Sequence, residues 1–369
     1  MSPVFRFAHA RADDWQSAAR ACLEQLGGPP AGLGFLYVTD LLADHVAEIV
    51  HFFRERTGVP HWVGTVGIGI CAAGREYLDE PALAVMVGEF APGSFRIFSG
   101  VKSENDIGLT SFKCGERPAN FAIVHADPRN SEVADLIIGI AGKVESGFLV
   151  GGLTSSRRQN LQIADKIAEG GISGVLFSDE VTVATRLTQG CSPIGPKHRI
   201  TQAQRNIVIT LDDRPALDVL KEDVGEKLAR DLNRLGGLIF AGLPIAGTDT
   251  GDYLVRNLVG IDPGRGLVAV GEMVENGMQL MFCRRDATSA TEDMERMLAS
   301  MKKGLYTRPR GGVYYSCLGR GTNLFGPNSE ELKLIEAAFG EFPLVGFFCN
   351  GEISHNRLYG YTGVLTLFA

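Results

Sequence analysis

The sequence predicts an α/β protein of mixed and antiparallel sheets flanked by helices, built from internally repeated βαββ and ββα units. Strand-length apolar runs alternate with segments of helical apolar period, which sets the class. A strand, a helix and a strand containing Val-Gly recur three times at near-constant spacing. The 46 glycines among 369 residues sit at the ends of apolar runs, where turns belong, and form no linker.

Residues 1–30 read as a lead-in. The first copy opens with LGFLYVT (33–39), and Leu42, Val46, Ile49, Val50 and Phe53 then share one helical face. HWVGTVGIGI (61–70) and ALAVMVGEF (82–90) complete it. The second copy runs FAIVHAD (121–127), a helix from Ser131, FLVGGL (148–153) and GVLFSD (174–179). The third runs GVYYSC (312–317), a helix near 329–340 capped by Asn328 or Ser329, PLVGFF (343–348) and GVLTLF (363–368). From Gly34 to Val63, Phe121 to Val150 and Val313 to Val345 the spacing is 29, 29 and 32 residues. Between the copies lie two strand–strand–helix stretches. One is 181–190 and 207–212 with a long helix 215–235 beginning at Pro215; the other is 266–271 and 278–284 with a helix capped by Thr291. Strand–helix alternation fails at every third element, which speaks against a doubly wound dinucleotide fold. The glycine-rich stretch 236–264 marks a domain boundary or a crossover with strands of its own.

A net charge of −7 speaks against a nucleic-acid surface, which needs a clustered basic face. No apolar run reaches the length of a membrane span and no leader is expected, so the sequence reads as cytoplasmic and free of membrane. Seven scattered cysteines without a C-x-x-C pair predict free thiols, with no zinc or disulfide framework. The familiar phosphate-loop, dinucleotide, zinc-protease and nucleophile-elbow motifs are missing, so the chain leans away from enzymes.

QGCSPIGP (189–196), ITQAQRNIVITLDDRPALDVL (200–220), CRRDA (283–287), YYSCLGRG (314–321) and FPLVGFFCNGEIS (342–354) together resemble the FIST family (F-box and intracellular signal transduction). The resemblance implies an N-terminal domain at 31–235 and a C-terminal domain at 236–369. It implies a cytoplasmic sensory module for small molecules such as amino acids, found alone or beside signalling domains. It also implies an alternative, a haem-binding nitric-oxide sensor, as among some bacterial relatives. This sequence carries no F-box, kinase or cyclase segment, so its output would pass through a separate signalling partner protein.

Candidate ligand-binding residues cluster in the last copy. Arg320, flanked by Gly319 and Gly321, could take a carboxylate bidentately or form an ion pair that fixes its turn, with Glu352 as the candidate partner. Asn350, Gly351 and Glu352 come after the third Val-Gly strand. Glu352 could hold a ligand amine, or the group could simply close a turn. Cys317, at the strand end, is either a ligand-facing thiol activated by Arg320, even a nucleophile in a cysteine-dependent enzyme, or a small buried residue. The turns at Gly74–Glu76 and Thr154–Arg157 stand at comparable strand ends. Haem would find axial ligands in His355 or His125. Cys191 would need His198 as a base.

Overall fold

The computed structural model describes residues 5–28, 31–245 and 253–369; of the expected boundary stretch 236–264, residues 246–252 lie outside them, as do 1–4 and 29–30 of the lead-in. The chain forms two compact units, residues 1–188 with 294–369, and residues 189–293. The spatial division therefore does not follow chain order, because the last copy folds with the first two.

The first unit holds three six-stranded sheets with one strand plan. Each has a leading strand: Leu33–Thr39, Phe121–Ala126 or Gly311–Cys317. A helix comes next (Val46–Thr57, Val133–Ala141 or Glu330–Phe339) and then a parallel Val-Gly strand, His61–Gly67, Phe148–Leu153 or Leu344–Cys349. Closing strands Ala82–Gly88, Ile172–Phe177 and Thr362–Phe368 run antiparallel on the other side of the leading strand. Edge strands complete the sheets, and one of them, Phe5–Arg11, lies within the expected lead-in, which also supplies the helix Trp15–Leu26.

After each Val-Gly strand the chain forms a hairpin that crosses to another sheet. The hairpin starting at Gly69–Ala72 pairs with Leu344–Cys349, the one at Gln162–Ala164 with His61–Gly67, and the one at Glu352–Ser354 with Phe148–Leu153. The three sheets are thereby linked in a ring. Alternation along the leading strands then sorts side chains by face. Phe35, Tyr37, Ile123, Val313 and Tyr315 enter a core shared by all three sheets, while Leu36, Val124 and Tyr314 pack under the helices of their own sheet.

The glycine of each Val-Gly pair lies inside a strand. A Cβ on Gly64, Gly151 or Gly346 would stand 1.8, 1.8 or 1.7 Å from the carbonyl oxygen of Leu36, Val124 or Tyr314, so only glycine lets these backbones approach.

The second unit is a closed antiparallel barrel. Its strands pair in the order Gln279–Arg285, His198–Gln204, Ile207–Leu211, Leu267–Val270, Tyr253–Asp262 and Ile239–Pro244, which returns to Gln279–Arg285. Closure removes exposed strand edges. Leu217, Val219 and Leu220 of the helix Ala216–Val224 complete its core. That helix stops at Gly225, short of the expected 235, because Gly225 has φ 78. The expected strand–strand–helix stretches are not hairpins: Val183–Gln189 belongs to the third sheet of the first unit, and Leu267–Val270 and Gln279–Arg285 are not neighbours in the barrel. The helix expected to be capped at Thr291 begins at Ala287, where Asp286 accepts the Ser289 N–H at 2.9 Å.

Replacing Gly151 with alanine should destabilise the fold by roughly 1–3 kcal/mol or more, as overpacking does, and so lower the denaturation midpoint. Gly108→Ala, where an added Cβ meets nothing within 4 Å, should leave the midpoint unchanged or raise it. Equal midpoints for the two variants would contradict the close-approach reading.

Candidate functional site

The three turns beyond the Val-Gly strands meet at one end of the ring and are bonded together. Ile68 donates its N–H to Ser155 Oγ at 3.0 Å, and Ser155 Oγ donates to the Phe348 carbonyl at 2.5 Å. Thr65 and Thr154 hydroxyls meet at 2.8 Å. Asn350 donates its N–H to the Leu153 carbonyl at 3.0 Å, and the Leu153 N–H donates to the Gly351 carbonyl at 2.8 Å. Arg157, in the middle turn, is clasped by the buried Asp40 and by Asp79.

The sequence-predicted residues lie here, partly bonded to one another's neighbours, while Arg320 Nη1 and Glu352 Oε1 are buried without a hydrogen-bond partner. Arg320 is fully buried, and its Nε and Nη2 both reach Glu331 Oε1 at 2.7 Å. Glu331 also accepts from the Tyr314 hydroxyl at 2.6 Å and from the Gly321 N–H at 2.7 Å. The carboxylate partner of Arg320 is thus Glu331 on the next helix, and Glu352 bonds elsewhere. A Cβ on Gly321, which has φ 52, would strike Phe348 and Glu76. Glu352 is buried, and its Oε2 accepts the N–H and hydroxyl of Thr362 at 3.0 and 2.8 Å. Burial pushes its pKa up to about 8, against the lowering effect of Thr362 and Arg320. Burial, with Glu331 nearby, does the same to Glu76. Cys317 is half-buried, and burial together with Glu352 pushes its thiol up, the opposite of an activated nucleophile. The Asn350 side chain is exposed.

Sequence reasoning missed the register of the hairpins. Glu352 stands opposite Gly152, one residue past the Val-Gly glycine, and Gln162 stands opposite Thr65 at the matching position. The middle hairpin thus carries an amide where the last carries a carboxyl group whose pKa burial raises.

The two histidines are separate. His125 is buried in the shared core, its Nε2 3.2 Å from the Tyr37 hydroxyl, which meets the Tyr315 hydroxyl at 2.8 Å. Burial lowers its pKa to about 3. Tyr37, His125 and Tyr315 each occupy the position after the residue paired with a Val-Gly glycine, a signal that aligning the three stretches reveals. His125 pairs with Gly152, whereas His355, exposed on its hairpin turn, lies against the Phe148 ring four residues back along that strand. In the barrel, Cys191 is buried and His198 is held by Asp212 and Asp223 at 2.7 and 3.0 Å.

Open space lies at the other end of the ring, where the closing strands finish. A cavity of about 670 Å³ is lined there by Glu89, Phe90, Glu180, Arg310 and Phe368. Its floor is aromatic: the Phe90 and Phe368 rings meet edge-on at 5.8 Å, and Phe5 stacks on Phe368 at 5.0 Å. Glu180 is paired with Arg117 at 3.1 Å. Among the described residues no ion pair engages Arg310 or Glu89. The lining comes from separate stretches near 89–94, 180–182, 310 and 368, which no local motif connects.

The FIST N domain matches residues 32–214 of this chain, and the FIST C domain matches residues 216–355. An uncharacterized protein of Mycobacterium tuberculosis is 29% identical over 368 residues, covering 96% of this chain and 95% of its own length. An uncharacterized protein of Mycobacterium bovis is 28% identical, covering 95% and 94%. No helix among the described residues is long and apolar enough to cross a membrane.

Glu352 and Glu76 keep protons in the folded state that free carboxyl groups release near 4.5. Their contribution to stability is complete below that pH and is lost as pH rises through about 8. Glu352→Gln, which keeps an oxygen for Thr362 and has no proton to lose, should make the fall in melting temperature across this window shallower. An unchanged slope would contradict the assignment.

Proposed function

Because the chain belongs to the FIST family, whose domains are associated with signal-transduction sensing, we propose that it is a non-catalytic cytoplasmic sensor of a small zwitterionic metabolite, an amino acid or a close relative. It acts through a separate partner protein.

The observation that carries this reading is the cavity at the closing-strand end. Arg310 suits a carboxylate and Glu89 an amine, and Phe90 and Phe368 line the same cavity. Its volume of about 670 Å³ falls in the range of small-molecule sites, roughly 300–1,000 Å³. The high thiol pKa of Cys317 supports a binding role over nucleophilic catalysis. Cys317, Arg320, Gly321, Asn350, Gly351 and Glu352 then serve the site from a distance, by holding the ring of sheets together.

A thermal-shift screen of amino acids tests the proposal. At a hundred times its Kd a ligand stabilises the folded state by about 2.7 kcal/mol, a shift that is readily measured. Arg310→Ala should abolish the shift, and Glu89→Gln should weaken binding of the amino acid while sparing its des-amino analogue. No shift at millimolar ligand, or one that survives Arg310→Ala, would overturn it.

A further inference from the structure

A second cavity, of about 380 Å³, opens beside the start of the middle leading strand and of its parallel partner. Its floor is apolar, made by Phe121, Phe148, Val183 and Met301. Phe121 and Met301 are buried, while Phe148 and Val183 are only partly covered by the shared core. Among the described residues Arg186 is the one charged group in its lining, and no carboxylate faces it there. Arg186 Nη1 donates to the adjacent Thr185 carbonyl at 2.9 Å, and no ion pair among the described residues takes up its guanidinium. An apolar floor with a single cation at the lip differs in kind from the mixed-charge cavity near Arg310.

Both chain crossings wall this cavity. The chain leaves the first compact unit after Thr188 and re-enters it at Met294. Val183 to Arg186 belong to the outgoing strand Val183–Gln189, and Ser300, Met301 and Gly304 to the returning helix Ala287–Gly304. A molecule seated here touches both at once.

We propose that this cavity is a second ligand site, for a small amphipathic carboxylate with an acyl tail. The tail covers Phe148 and Val183, whose exposed apolar surface favours it. The carboxylate takes the guanidinium fork of Arg186. Because the ligand bridges the outgoing strand and the returning helix, the occupied state holds these two segments more tightly than the empty one.

Octanoate serves as the probe, with acetate lacking the tail and octylamine reversing the charge. In the full chain, octanoate should slow amide exchange in residues 183–189 and in the last turns of the helix ending at Gly304. Acetate and octylamine should not. Arg186→Ala, an exposed position, should weaken octanoate binding at least tenfold, and Ser300→Trp should block it by filling the lip. Arg310→Ala should leave it unchanged. Equal binding of octylamine, or full affinity in Arg186→Ala, would overturn the proposal. So would binding that Arg310→Ala removes, which would place octanoate in the other cavity.

Discussion

Everything in the first compact unit depends on how closely each Val-Gly strand approaches its leading strand. The glycine backbone sits against a carbonyl that any Cβ would strike, which is why the Val-Gly pair recurs in all three sheets. With that approach secured, the far side of each Val-Gly strand accepts a hairpin from a different stretch of chain. Gly152 and Glu352 are partners across 200 residues of sequence. No sheet is completed by its own stretch, so the three sheets stand or fall together. Pairing at such separation carries a loop-closure cost before any contact rewards it, which favours slow, cooperative folding.

The two ends of the ring consequently differ in chemistry. At the strand-end turns, polar groups are used to join the sheets: Ser155 bridges Ile68 and Phe348, and Glu331 collects Arg320, Tyr314 and the Gly321 amide. Taking one partner from a buried pair such as Arg320–Glu331 costs about 3–5 kcal/mol, because it strands the other charge. At the other end Arg310 and Glu89 line a cavity together with Phe90 and Phe368.

Much of the fold was legible in the sequence because it is written in local periods. The leading strands, their helices and the Val-Gly strands emerge from apolar spacing in LGFLYVT, FAIVHAD and their neighbours. The glycines were legible only as turn formers, since a close approach depends on the paired strand. The hairpin exchange was hidden for the same reason, and so was the match of Gln162 with Glu352, because the segments before those hairpins differ in length. Arg320 could be recognised as an anion partner, with Glu352 as the expected anion, while its actual partner Glu331 lies eleven residues on in a helix. The cavity near Arg310 leaves no motif at all, being assembled from four stretches of chain.

We propose that the ligand occupies the closing-strand end of the ring. Chemical-shift mapping of the backbone amides during titration with an amino acid that stabilises the protein tests it most directly. Shifts should concentrate at residues 89–94, 180–182, 310 and 368, with the strand-end turns little moved. Shifts centred on Cys317, Arg320 and Asn350–Glu352, with none around Arg310, would contradict it.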